Sequence, residues 1–250
     1  MLETRDLHMN FGGFQAIRAV DFTLDEGTRH AIIGPNGAGK TTFFNLLTGH
    51  LVPTAGTVTY RGQSIAGMAP HKIVKLGIAR SFQRINIYPR MTVFENVQVA
   101  LIARDNRHFR MFSLAEPMNR DETGELLHLV GLDEQAQEVA GELAYGRQKQ
   151  LELAISLAAN PDVLLLDEPT AGMSPSETAE SIKLIGDIAE SRGLTLLFTE
   201  HDMGVVFGIA DRITVLHHGE IIASGAPEEV RTNPEVRSVY LGEEVDDDAA

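Results

Sequence analysis

The nine residues GPNGAGKTT at 34–42 constrain the fold more than any other stretch of the chain. They follow a short β-rich run, RHAII (29–33), and lead directly into KTTFFNLLT (40–48), which has helical spacing. The match to G-x-x-x-x-G-K-S/T therefore stands in the strand–loop–helix context that gives the pattern its chemistry. Gly34, Gly37 and Gly39 let the backbone turn its N–H groups inward at a helix N-terminus, where the helix dipole also favours an anion. Lys40 brings a compact positive charge to the terminal phosphates and Thr41 offers a hydroxyl to Mg²⁺, while Pro35, Asn36, Ala38 and Thr42 complete the cradle. A nucleoside triphosphate site is expected.

The remainder of the chain alternates in the α/β manner. β-Rich runs stand at GTVTY (56–60), VLLLD (163–167), TLLFT (195–199) and RITVL (212–216), and helical stretches at RQKQLELAISLAA (147–159) and SPSETAESIKLIGDIAE (174–190). This order predicts a parallel sheet with crossover helices, and the apolar run VLLL (163–166) predicts a strand buried on both faces. MTVFENVQVALIAR (91–104) and DETGELLHLVGL (121–132) have helical spacing with no strand between them. DLHMNF, AVDFTL and GTVTYRG are short and separated by glycines, as in a small antiparallel sheet. The expected fold is α/β: a P-loop NTPase (RecA-like) parallel sheet core with an antiparallel β subdomain and an inserted α-helical subdomain. Residues 1–86 and 150–225 would form the core, 87–149 the helical lobe, 226–242 a C-terminal helical extension and 243–250 an acidic tail.

Composition narrows the partners. The formal charge is −14, with 21 Lys and Arg scattered among 35 Asp and Glu, a poor match to the clustered basic surface that nucleic acid requires. There is no cysteine, which removes disulfides and thiolate metal sites and fits a reducing compartment. No apolar run approaches the roughly 18–20 residues of a membrane span, and MLETRDLHMN lacks the apolar centre of a signal peptide. A soluble, cytoplasmic chain is expected, so any association with a membrane would go through a partner.

A phosphate cradle alone hydrolyses nothing. In VLLLDEP (163–169) an apolar strand ends in two carboxylates: Asp167 to hold the metal through its water, Glu168 to act as general base. The competing role for this pair is an N-cap cluster before the helix near Ser174. His201, in TLLFTEHD (195–202), would sit at the carboxyl end of a neighbouring strand, within reach of a γ-phosphate. Glu200, His201 and Asp202 are adjacent, alternate faces and lack metal-site spacing, so no metal cluster is expected there. Gln83, in GIARSFQ (77–83), closes an expected strand just before the helical lobe; its amide would meet Mg²⁺ or the attacking water and report nucleotide state to that lobe. Phe11, in MNFGGF, offers a flat face to an adenine base, with Phe14 as a rival for the same place.

Taken together these motifs resemble the ATP-binding subunit of an ABC transporter, over nearly the whole chain. LAYGRQKQ (143–150) then resembles the family's signature sequence, usually LSGGQ, which opens a helix and acts on the ATP held by the opposite subunit. The resemblance assigns that role to Ala144, Tyr145, Gly146, Arg147 and Gln148, with backbone N–H groups near Gly146 approaching the partner's γ-phosphate. FGGFQAI, GIARSFQ, MTVFENV, the tyrosine of LAYG, TEHDM and NPEVRSVYLGE look like the branched-chain amino acid importers, and like the larger of their two ATPase subunits. Three residues depart from the general pattern: Ala144 replaces serine, Arg147 replaces the first glutamine, and Ser174 replaces the usual aspartate.

The resemblance implies ATP and Mg²⁺ as cofactors and ATP-driven dimer closure with a sister ATP-binding subunit, a heterodimer being favoured over a homodimer. It also implies two membrane permease subunits gripped by residues 83–104, an indirect solute-binding protein, no nucleic acid, and a peripheral place on the cytoplasmic face of the cell membrane. Urea, short amides and aromatic acids remain alternative solutes. A soluble ABC ATPase and a P-loop kinase remain alternative classes.

Overall fold

The computed structural model describes residues 1–81, 85–105 and 119–239. Gln83 and the acidic tail lie outside the described residues.

The P-loop helix α1 (Lys40–Leu47) is held between two sheets. On one side lies an antiparallel sheet of β1 (Leu2–Phe11), β2 (Phe14–Leu24), β4 (Ala55–Tyr60) and β5 (Gln63–Ser64), in the order β2-β1-β4-β5. On the other is a six-stranded sheet made of β3 (Arg29–Ile33), β6 (Ile78–Arg80), β7 (Val163–Asp167), β8 (Thr195–Thr199), β9 (Arg212–His217) and β10 (Glu220–Gly225). Its order is β10-β9-β3-β8-β7-β6, parallel throughout except for β10. Both sheets and the parallel core follow the expectation from sequence.

Period-two alternation divides the core. Ile32, Val163, Leu165 and Leu197 point towards α1 and the antiparallel sheet, packing with Phe43, Phe44 and Leu47. Ala31, Ile33, Leu164, Leu166, Leu196 and Phe198 point the other way, towards the helices. Every residue of β7 is buried, as a strand covered on both faces requires. The helical face carries α3 (Val93–Arg104), α4 (Arg120–Leu129), α5 (Tyr145–Leu157), α6 (Pro175–Arg192) and α7 (Met203–Ile209).

Local chemistry sets the helix ends. Thr92 and Glu95 form a reciprocal capping box on α3, and Ser174 and Glu177 do the same on α6. Because Ser174 supplies that cap, Asp167 and Glu168 are not needed for it. The chain leaves β6, enters α3 and is stitched to the approach to α5: Ala140 N–H donates to Met91 O at 2.9 Å and Gly141 N–H to Pro89 O at 3.0 Å. The expected strand over 77–83 is shorter, ending at Arg80, although Ser81 N–H still donates to Leu165 O. β10 and the short helix α2 (Pro70–Lys75) are additions to the expected elements, whereas α8 (Pro227–Thr232) falls within the 226–242 stretch read as a helical extension.

His30, inside β3, is 1% exposed. Its Nε2 lies 2.8 Å from Thr214 Oγ1, which lies 2.8 Å from Ser224 Oγ. Burial, aided by the Arg212 charge, pushes the imidazole pKa down to about 4. The folded protein therefore keeps this ring neutral while an unfolded chain takes up a proton near pH 6.5. Stability from this site is complete above about pH 6.5 and falls with pH down to about 4, by up to about 3 kcal/mol. Denaturant unfolding of the protein and of His30→Gln at pH 7 and 4.5 should show the variant losing less stability on acidification. Equal losses would place the acid sensitivity elsewhere.

Candidate nucleotide-binding site

β3 delivers the loop into a cavity of about 330 Å³ whose wall comprises residues 36–42, Phe14, Ala16 and Glu168. A Cβ on Gly34 would fall 2.0 Å from Leu216 O, and one on Gly39 2.7 Å from Ala16 O. Gly39 also caps α1 at φ 106, a conformation open to glycine. The loop is thus pressed backbone-first against β9 and β2, with residues 36–42 on the cavity wall. That is a cradle suited to phosphate oxygens. Lys40 is buried, its Nζ donating to Gly34 O and to Pro35 O, the latter at 3.1 Å. Thr41 and Thr42 lie on the same wall.

Phe11 and Phe14 are Cα partners flanking the Gly12–Gly13 turn, so their side chains share a face. Both rings are exposed, at 47% and 63%, and Phe14 is the one on the cavity wall.

β8 lies between the P-loop strand and β7, which brings three loops to one edge. Asp167 is 3% exposed, and both its carboxylate oxygens are engaged. Thr199 Oγ1 donates to Oδ1 at 2.9 Å and Arg80 Nη2 to Oδ2 at 2.7 Å. Such a carboxylate suits holding a metal through water rather than by direct ligation. Glu168 follows at φ 51, a left-handed conformation rare for a non-glycine residue. Its backbone N–H is held by Thr199 O at 3.2 Å and Thr199 Oγ1 at 3.1 Å. His201 Nε2 stands 2.7 Å from Glu168 Oε1. The three neighbours in Glu200-His201-Asp202 do three separate jobs: Glu200 turns inward to Thr170, His201 meets Glu168, and Asp202 caps α7 through Gly204 and Val205 N–H.

Arg80 is the site residue that the sequence analysis missed. Its Nη1 also donates to Asn45 Oδ1 of α1 at 2.7 Å, so one guanidinium ties β6 and α1 to the end of β7. The signal was an arginine inside the short apolar run GIAR.

Tyr145 and Gly146 open α5 behind the N-cap Ala144, whose methyl makes no capping hydrogen bond. The first-turn N–H groups are thus left unclaimed by a cap side chain, a usable anion site on a thirteen-residue helix. The Tyr145 ring lies over Gly172, where a Cβ would come 3.3 Å from Tyr145 Cε1. Arg147 Nη1 donates back to Gly131 O at 2.9 Å and Gln148 Nε2 to Leu143 O at 3.0 Å, so both brace the helix within the chain. Ala144, Gly146 and Arg147 line their own cavity of about 220 Å³ with Met173 and Glu177. It shares no lining residue with the phosphate cavity.

A glycine-rich loop, a buried lysine and paired carboxylates converge at the carboxyl edge of a parallel sheet, the arrangement of a P-loop ATPase. The chain belongs to the ABC transporter family, whose model matches residues 17–171. A second model, described as branched-chain amino acid ATP-binding cassette transporter, matches residues 220–246. The high-affinity branched-chain amino acid transport ATP-binding protein LivG of Salmonella typhimurium is 41% identical, covering 97% of this chain and 98% of LivG. BraF of Pseudomonas aeruginosa, which carries the same description, is 40% identical with the same coverages. A solved ATP-binding cassette of an ABC transporter superposes with TM-score 0.86 at 30% identity, covering 96% of this chain and 98% of that one. Another, solved as a dimer in a post-hydrolysis state with ADP and Pi, gives TM-score 0.77 at 26% identity, with coverages of 91% and 99%. Among the described residues, no helix is long and apolar enough to cross a membrane.

Proposed function

We propose that this chain is the ATP-hydrolysing subunit of an importer for branched-chain amino acids or related small solutes, acting as one half of a closing dimer at the cytoplasmic face of the membrane. The observation that carries this is the 41% identity to LivG along 97% of the chain. Support for the dimer comes from the separation of the signature helix from the phosphate cavity of its own chain, and from the dimeric neighbour with ADP and Pi.

The P-loop N–H groups and Lys40 bind the β- and γ-phosphates, and Phe11 with Phe14 frames the base. Thr41 and Asp167 would hold Mg²⁺, Asp167 through water; when bound, the ion would supply positive charge against that developing on the phosphates. Glu168 takes a proton from the attacking water, whose oxygen bonds to the γ-phosphorus as the bond to the β-phosphate oxygen breaks, yielding ADP and Pi. His201 orients Glu168 through their hydrogen bond and lies near the γ-phosphate. The N-terminal turn of α5 donates to the ATP of the partner, backbone groups serving where Ala144 has no hydroxyl. Gln83 is assigned the sensor role at the lobe junction. Closure would be transmitted through the lobe to two permeases, with a sister ATPase as the other half and a solute-binding protein delivering cargo.

The test is capture. Tagged Glu168→Gln protein, loaded with MgATP and extracted from native membranes in mild detergent, should bring down two polytopic permeases and a sister ATPase, identifiable by mass spectrometry. The associated binding protein should then bind leucine, isoleucine or valine, whereas preference for urea, an amide or an aromatic acid would change the cargo. A soluble partner alone, despite verified ATP trapping, would overturn the transport role.

A further inference from the structure

Glu200 is a buried carboxylate for which the hydrolytic scheme has no use. It is 4% exposed and sits between Thr199, which holds the Glu168 N–H, and His201, which meets the Glu168 side chain. A single oxygen, Oε1, accepts from Thr170 N–H at 2.9 Å and from Thr170 Oγ1 at 2.7 Å. Burial outweighs these donors and raises its pKa. One buried side chain therefore ties the loop after β8, at the residue directly before His201, to the loop after β7, two residues beyond Glu168.

The backbone at Glu168 needs such a grip. A left-handed φ of 51 at a non-glycine residue persists only where its surroundings over-determine it. From the amide side the restraint is Thr199; from the carboxyl side it runs through Pro169 to Thr170, and there the anchor is Glu200. We propose that Glu200 is a positioning residue for ATP hydrolysis: by fixing Thr170 to the residue directly before His201, it holds Glu168 in its strained conformation and in register with His201. This rests on Glu168 being the general base.

A positioning role separates from a merely structural one in the kinetics. Glu200→Ala should lower kcat by about 10²-fold, the scale of a displacement near 1 Å at a reacting group. KM for ATP and the binding of a fluorescent ATP analogue should stay within about threefold of the parent, because the phosphate cradle is untouched. Glu200→Gln keeps a carbonyl acceptor for both Thr170 donors and should recover most of the loss. Thr170→Val, which keeps the backbone donor, should cost about tenfold in kcat, and adding Glu200→Ala to it should cost no more than Glu200→Ala alone. This milder variant keeps the test open if Glu200→Ala folds poorly. Unchanged kcat in Glu200→Ala and Thr170→Val would overturn the proposal. So would a loss of ATP binding that parallels the loss of kcat, or a Glu200→Gln variant as slow as Glu200→Ala. Glu168→Gln, assayed alongside, separates the two ideas: full activity there would remove the base, whereas a dead Glu168→Gln beside a fully active Glu200→Ala would remove only the positioning role.

Discussion

Glu168→Gln should cut steady-state ATP turnover by at least about 10²-fold while leaving ATP binding intact. The substitution is nearly isosteric. It keeps an oxygen to meet His201 Nε2, now 2.7 Å from Glu168 Oε1, and asks nothing new of a backbone already held at φ 51. What it removes is the capacity to take a proton from water. Lys40, Thr41 and the glycine backbone proposed to grip the phosphates are untouched, so KM for ATP should change far less than kcat. Steady-state phosphate release and equilibrium binding of a fluorescent ATP analogue measure the two quantities separately. Undiminished turnover would remove Glu168 as the base, and loss of binding in step with turnover would point to a damaged cradle instead.

The parts of this fold visible in sequence were those whose signals are local. RHAII, GPNGAGKTT and the following helix occupy adjacent residues, so turn chemistry and periodicity declare them without any partner. VLLL announced a doubly covered strand because no polar residue interrupts it, and all of β7 is buried. The glycine-separated runs near the N-terminus likewise gave away the antiparallel sheet. β10 was hidden because EIIASG is short and only partly buried, with an alternation too weak to distinguish from loop. Arg80 stayed unassigned since its partner Asp167 lies 87 residues on, and an arginine at the end of a short strand looks like an ordinary solvated boundary. Sequence also cannot decide which acid of EHD turns inward. That choice is made by Thr170, 30 residues away across two strand ends. Phe11 and Phe14 are equivalent candidates in MNFGGF for a similar reason, since the turn pairs them and only the wall of the cavity separates them.

Arg80→Met should destabilise the fold by about 3–5 kcal/mol, the scale of removing one partner from a buried ion pair. The side chains of Arg80 and Asp167 are 5% and 4% exposed and meet at 2.7 Å, so neither solvent nor salt can substitute for the lost charge. Methionine keeps much of the stem, which lies near the Phe44 ring, 5.5 Å from the guanidinium carbon to the centroid. The deficit should therefore come mainly from Asp167, left with the Thr199 hydroxyl as its remaining described hydrogen bond. Removing the second charge tests this: Arg80→Met with Asp167→Asn should be more stable than the sum of the single losses predicts, because the uncompensated carboxylate is gone. Arg80→Lys should recover only part of the loss, since an ammonium lacks the planar fork that reaches Asp167 and Asn45 together. Urea unfolding of the four variants and the parent closes the cycle. A loss below about 1 kcal/mol in Arg80→Met would show the pair to be energetically idle, as many exposed pairs are. A loss within the expected range, relieved in the double variant, would mean that the end of β7 depends on an arginine from the strand that leads into the helical lobe. The carboxylate assigned to the metal and the segment beginning at Ser81 would then share one buried anchor.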